Sequence, residues 1–267
     1  MPALSRRTML KWTVSILAAG VAPVRAADHW GRRLEDAPTQ FIFGYGSLIN
    51  TPSREATGGR RVPAVPARLS ADLGYVRAWN ARASSGFTAL GLRSADPSEP
   101  AMTINGVVFP VTSANLPAYD RREGGYRRIE VPRARIEGVS WQGLPDEGTI
   151  WVYVPKPTDT ATDTAAKPAA GARWRPDADY PIVQSYVDLV LEGALEYGPD
   201  FARELIATTV DWSPFWLNDR VTARRPWTAT PLAGRIDALL ADTPPASLAL
   251  ADRLFSEPYA ARRLMGR

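Results

Sequence analysis

Between residues 40 and 155 the apolar positions fall in short runs separated by Gly, Pro, Asp and Ser. Runs of this length, bounded by turn formers, read as β-strands. The pattern predicts strands at Phe41–Tyr45, Tyr75–Trp79, Thr88–Leu92, Asn105–Pro110, Tyr126–Pro132 and Thr149–Val154. The period then changes. Thr158 to Arg173 is poor in aliphatic bulk and rich in Thr, Ala, Asp and Pro, the composition of a surface loop. Beyond it, Ile182, Val183, Tyr186, Val187, Val190, Leu191, Ala194 and Leu195 repeat at helical spacing, with Asp179 as the expected N-cap and Pro181 near the first turn. Gly198-Pro199 ends that helix, and Phe201, Leu205 and Ile206 begin another. Shorter helices are expected over Leu232–Ala241 and Ser247–Phe255, and the aromatic stretch Asp211–Arg220 as a packed loop covering the core.

The N-terminus has a different pattern. Ser5-Arg6-Arg7-Thr8-Met9-Leu10-Lys11 has the form of a twin-arginine signal, followed by an apolar run from Trp12 to Val24 and small residues ending at Ala26. The run is about half of a membrane span, so a removed signal is favoured over a retained helix. The expected organisation is a signal at 1–26, a strand-rich unit at 40–155, a flexible loop at 156–178 and a helical C-terminal portion at 179–267 packed on the strands.

Charge and composition narrow the chemistry. The chain carries a formal +4, but Arg6, Arg7, Lys11 and Arg25 all lie in the signal, which has no acid. The remainder of the chain is neutral, so the basic balance gives no argument for nucleic acid, and no membrane contact is expected once the signal is gone. There is no cysteine, hence no thiol nucleophile, disulfide or thiolate metal site. His29 is the only histidine, so a Ser-His-Asp triad and a His-rich metal site are both disfavoured. Outside the signal the lysines are Lys156 and Lys167, neither placed for a Ser–Lys dyad. Acid–base chemistry, if present, falls to a carboxylate, with help from tyrosine.

Two stretches carry candidate chemistry. In Phe41-Ile42-Phe43-Gly44-Tyr45-Gly46-Ser47-Leu48-Ile49-Asn50, an apolar strand runs into a turn with two glycines. Glycines so placed either punctuate the chain or admit close approach of backbone or ligand, and successive N–H groups of such a turn suit an anion. The turn fails the G-x-S-x-G pattern, having Gly46 where that motif has its nucleophile. The second stretch is Leu116-Pro117-Ala118-Tyr119-Asp120-Arg121-Arg122-Glu123-Gly124-Gly125-Tyr126. Asp120 and Glu123 have capping-box-like spacing at a short helix, and neighbouring arginines would make Glu123 a surface ion pair.

Taken together, Phe43-Gly44-Tyr45-Gly46-Ser47-Leu48 and the later Arg122-Glu123-Gly124-Gly125-Tyr126 resemble the gamma-glutamylcyclotransferase superfamily, including its ChaC-type members. Arg77-Ala78-Trp79-Asn80 is similar to the aromatic strand between the two motifs in that family. The resemblance covers residues 40–155; Pro181–Tyr186 and Ala207–Arg220 resemble only bacterial relatives. It implies an α+β fold, a small mixed β-barrel flanked by helices, with a helical C-terminal extension. It implies cyclisation of a gamma-glutamyl group to 5-oxoproline with release of the attached amine, without cofactor or metal. By the same resemblance Glu123 is the catalytic acid/base, and Tyr45, Gly46, Ser47, Leu48 and Tyr126 bind substrate.

That chemistry suits the residues present. The substrate's own α-amine is the nucleophile, and holding the chain curled supplies effective molarities that can reach about 10⁵ M. One buried carboxylate can take the ammonium proton and return it to the leaving amine. A free α-amine is required, so acylated glutamate in intact peptidoglycan stems is excluded, while exported glutathione and gamma-glutamyl peptides or amines qualify. The expected partner is such a small molecule, in the periplasm. The alternative is a non-catalytic binding module of the same fold for a small amino-acid-like ligand. Burial of Glu123 beside Tyr45–Leu48 favours catalysis; a solvent-facing salt bridge favours the module.

Overall fold

The computed structural model describes residues 37–156, 174–220 and 231–254. The expected signal, His29, Lys167 and residues 157–173 of the expected loop lie outside them, as does Phe255.

The first strand, Gln40–Gly44 (β1), is buried along Phe41–Gly44 and forms the centre of the main sheet. A strand covered on both faces reads as an unbroken apolar run, which is how Phe41-Ile42-Phe43 reads. A one-turn helix at Ser47–Ile49 and helix α1 (Thr51–Gly58) follow directly, α1 capped by Asn50, whose side chain accepts from the Ser53 N–H at 3.0 Å. Then come β2 (Val65–Leu69), the hairpin β3 (Tyr75–Ala83) and β4 (Phe87–Ser94), and β5 (Ile104–Val111). Helix α2 (Leu116–Arg122) leads into β6 (Tyr126–Glu130), β7 (Ile136–Gly138) and β8 (Thr149–Pro155).

Six of these strands form one mixed sheet in the order β6-β8-β1-β5-β2-β7. Its pairings are antiparallel except β1 with β8, where Phe43 stands opposite Val152. The hairpin β3–β4 belongs to a second sheet of three strands, whose third member is β10 (Thr209–Val210). The expected barrel is therefore corrected. Among the described residues the main sheet ends at β6 and β7, and β4 crosses the end of β8 without joining its ladder. The fold is a mixed α+β arrangement of a sheet-rich core with helices.

The C-terminal helices are α3 (Gln184–Leu195), α4 (Pro199–Ala207), α5 (Ala233–Asp242) and α6 (Ala246–Ala251). Asp179 is not the cap of α3. Ile182–Val183 are extended as β9, paired in parallel with Trp216–Leu217 (β11), so the helix starts two residues after Ile182. Strand pairing overrides the helical spacing of Ile182 and Val183. Two strands absent from the apolar pattern, β2 and β7, occupy one side of the main sheet; one contains Pro66 and Arg68, the other is three residues long. Trp174–Ala178, at the end of the loop expected to be flexible, includes two residues packed on Arg82: its guanidinium lies 3.8 Å from the Trp174 ring centre and pairs with Asp177.

Arg77 ties the two sheets to α4. Fully buried, it donates to Asn105 O (2.7 Å), Asn105 Oδ1 (2.9 Å), Leu205 O (2.9 Å), Thr208 Oγ1 (2.8 Å), Thr209 Oγ1 (2.8 Å) and, at 3.4 Å, to Tyr45 O. Burial pulls its guanidinium down to about 9, which leaves it cationic at neutral pH. Among the described residues no helix is long and apolar enough to cross a membrane.

Candidate active site

The turn after β1 is built by close packing. A Cβ on Gly44 would stand 2.8 Å from the Leu48 Cβ, and one on Gly46 would stand 3.2 Å from the Tyr186 hydroxyl. The glycines thus let the chain fold back on itself against α3. A bond from Ile49 N–H to Gly46 O at 2.9 Å closes the turn. Ser47 and Leu48 are the first residues of that turn, so their N–H groups have no carbonyl within it to bond. Helix α3 fixes the turn from behind. Its Gly193 lies so near the chain that a Cβ would stand 2.4 Å from the Asn50 nitrogen, and Glu196 accepts from Thr51 N–H (3.1 Å) and from the Thr51 hydroxyl.

Glu123 arrives from the opposite side. Its N–H bonds Tyr119 O at 2.9 Å as the cap of α2, and Tyr126 N–H returns to Glu123 O at 2.7 Å. Gly124-Gly125 makes the tight turn between them and delivers Tyr126 to the first position of β6. Asp120 and Glu123 therefore sit at the C-terminal end of α2, not in a capping box at its start. Asp120 instead binds the Arg128 guanidinium (2.7 Å) and the Tyr153 hydroxyl (2.8 Å).

Tyr45, Gly46, Ser47, Leu48, Glu123 and Tyr126 all line one cavity of about 450 Å³, within the range of small-molecule sites. Glu123 is not the solvent-facing pair that its neighbouring arginines suggest. Its side chain is 15% exposed, and burial raises the carboxyl above its ordinary 4.5 against the opposing pull of Arg122, 3.2 Å away. Arg122 also donates to Ser53 O (2.6 Å), Thr57 Oγ1 (2.5 Å), Ser53 Oγ (2.8 Å) and Ser47 Oγ (2.9 Å). It therefore links the carboxyl to the Tyr45–Leu48 turn, and neutral acceptors share much of its charge.

The walls are tyrosines with committed hydroxyls. Tyr45 donates to Tyr153 O at 2.7 Å, Tyr126 to Leu90 O at 3.0 Å, and the Tyr186 oxygen accepts from Leu90 N–H at 3.4 Å. Burial pushes Tyr45 and Tyr126 well above their ordinary 10 and Tyr186 up to about 12, so all three stay neutral at working pH. Glu123 is then the one carboxyl lining the cavity among the described residues, and burial raises it above its ordinary 4.5. The Ser47 hydroxyl accepts from Arg122 at 2.9 Å, and among the described residues no hydrogen bond joins it to a base that would activate it as a nucleophile.

Arg82, Tyr153 and Tyr186, none of them among the residues expected from the motifs, also line the cavity. In the sequence Tyr186 stands out only as one member of the helical apolar stripe. Trp212 and Trp216 stack at 5.2 Å, and Trp212 and Tyr186 both pack edge-on to Trp79 (5.1 and 5.9 Å). The Trp212–Arg220 segment contributes no residue to the cavity lining and acts as the packed support behind it. Among the described residues no group of three or more His, Asp or Glu side chains is placed to hold a metal.

Fold and site thus define an α+β protein with a small-molecule pocket organised around one buried carboxyl. No protein-family model and no curated protein matches the sequence. Solved structures similar to it include a gamma-glutamyl cyclotransferase, 18% identical, with a TM-score of 0.44 over 63% of this chain and 86% of that one. An uncharacterized protein from Homo sapiens is 18% identical, with a TM-score of 0.43 over 65% of this chain and 90% of that one. A yeast gamma-glutamyl cyclotransferase specific to glutathione is 16% identical, with a TM-score of 0.28 over 62% and 88% of the two chains.

Proposed function

We propose that the protein is a gamma-glutamylcyclotransferase that releases 5-oxoproline from glutathione or other gamma-glutamyl peptides or amines. The observation that carries this reading is the position of Glu123, buried in the same cavity as the Tyr45–Leu48 turn with its pKa raised.

A gamma-glutamyl group curled in the cavity places its α-amine against its own γ-carbonyl. Glu123 takes a proton from the α-ammonium, the amine attacks, and the tetrahedral intermediate carries an oxyanion. The N–H of Leu48 in the turn is the candidate donor for that oxyanion or for the α-carboxylate, the Ser47 N–H being engaged by the Tyr186 hydroxyl. Glu123 gives its proton to the leaving nitrogen, then takes the second proton from the ring nitrogen as the C–N bond breaks. It passes that proton to the departing amine, which leaves as an ammonium; 5-oxoproline keeps one N–H and the carboxylate is regenerated. A raised pKa narrows the gap between the carboxyl and the amines with which it exchanges protons. No other lining side chain among the described residues offers this exchange, because the tyrosines are neutral and the arginines cationic.

The same proposal locates this activity in the periplasm, a reading supported by the twin-arginine pattern at Arg6-Arg7. The test is 5-oxoproline release from glutathione and gamma-glutamyl dipeptides by purified protein. General acid–base catalysis contributes about 10²–10⁴-fold, so Glu123→Gln is expected to lose at least about a hundredfold in kcat while folding normally. Full turnover by that variant would sink the assignment.

A further inference from the structure

Among the described residues Arg82 is the one cavity-lining cation left without a role in this chemistry. It lies near the end of β3, just past a register shift between Trp79 and Ala81 that re-aims the strand. Its guanidinium is held between two rings, 3.8 Å from the centre of Trp174 and 4.2 Å from that of Tyr180. Asp177 pairs with one terminal nitrogen, and the side chain is 17% exposed. Its Nε is buried without an acceptor, and among the described residues Nη1 has none either. Stacking fixes the plane of the guanidinium, and a fixed guanidinium recognises a carboxylate at little further cost in side-chain entropy.

The charges lining the cavity among the described residues are Arg122, Glu123 and Arg82. A gamma-glutamyl group supplies an α-carboxylate and an α-ammonium, which match the Ser47 turn backed by Arg122 and the Glu123 carboxylate. Arg82 then remains for a third charge, of negative sign, on the departing amine. We propose that Arg82 reads a carboxylate on the leaving group, so that the preferred substrates are gamma-glutamyl amino acids or peptides and not uncharged gamma-glutamylamines. This inference rests on the reading given above and refines its substrate class.

The experiment compares kcat/KM for gamma-glutamyl-alanine with that for gamma-glutamyl-ethylamide, which lacks the carboxylate. A charge-assisted hydrogen bond corresponds to about 10–100-fold, so the wild-type ratio is expected to favour the dipeptide by that amount. Arg82→Gln is expected to bring the ratio toward one through KM, and Arg82→Lys to restore part of it. Asp177→Asn removes the competing carboxylate while leaving an oxygen for the Asp179 and Tyr180 N–H groups, and is expected to raise the ratio. Equal use of both substrates by the wild type, or an unchanged ratio in Arg82→Gln, overturns the role of Arg82 and leaves the cyclotransferase standing. Turnover of neither substrate overturns both.

Discussion

Replacing Glu123 by Gln is expected to make the protein more stable as it makes it inactive. The side chain is 15% exposed, and burial is the largest influence on its carboxyl, which titrates above the ordinary 4.5 in the folded state. The sign comes from linkage. A folded pKa above the unfolded one means that the native state holds the proton more tightly, so the contribution to stability is complete below pH 4.5 and is lost as pH rises through the folded value. At pH 8 the wild type therefore bears a buried charge that Gln does not, while Arg122 keeps its bonds to Ser47, Ser53 and Thr57 in either protein. One pKa unit corresponds to about 1.4 kcal/mol. One kcal/mol moves the Tm of a domain this size by about 2–4 °C. The two assays are thus bound together. The proposed reaction needs the ionised carboxylate, so kcat/KM is expected to rise with pH along a limb set by Glu123 in the free enzyme, above pH 4.5. For each pH unit by which that limb exceeds 4.5, Glu123→Gln should gain about 3–6 °C in Tm at pH 8 relative to pH 4. Thermal melts across this range, set beside the wild-type pH–rate profile, test the relation. A Gln variant less stable than the wild type at pH 8 would refute the claim that Glu123 is a strained, buried base.

Further expectations concern the elements that hold the site. Arg77→Met leaves two buried acceptors on Asn105 without their donor at about 1–3 kcal/mol each, so a fall in Tm of at least about 4 °C, and up to about 24 °C, is expected by differential scanning calorimetry. Gly193→Ala drives a methyl group into the Asn50 backbone and is expected to cost about 1–3 kcal/mol in urea unfolding, with weaker activity because the Ser47 turn is displaced. Gly46→Ala has only the Tyr186 hydroxyl to move, at 3.2 Å, so it should melt close to the wild type yet raise KM for a gamma-glutamyl substrate about tenfold or more.

The parts of the fold that are legible in the sequence and those that are not divide along a physical line. Local pattern suffices for β1, β5 and β8, because strands covered on both faces must be apolar throughout, and for the interior of α3, whose buried face repeats every three to four residues. The start of α3 is not legible. Ile182 and Val183 fit the helical stripe, and only the pairing with Trp216 and Leu217, over thirty residues away in sequence, makes them strand. β2 and β7 are hidden for a related reason: short strands with Pro66 or Glu137 take their conformation from β5 and from each other, not from their own side chains. The failure of the sheet to close is also a long-range property, set by where β4 passes β8.

The site divides in the same way. Glu123 and the Tyr45–Leu48 turn can be named from the sequence because motif residues near in sequence also act together in space, through α2 and the turn after β1. Arg82 cannot, since nothing in Ala81-Arg82-Ala83 distinguishes it from an exposed arginine on a strand. Its constraint comes from Trp174, Asp177 and Tyr180, brought over it from more than ninety residues further along the chain. On the proposed function, residues that perform the cyclisation must meet the reacting atoms, and the same few positions would serve any gamma-glutamyl substrate. Residues that read the leaving group lie where the substrate varies, on segments that answer to packing and carry no motif. On that reading specificity is to be sought in the Trp174–Tyr180 segment and the end of β3, and the chemistry in the turn after β1 and the end of α2.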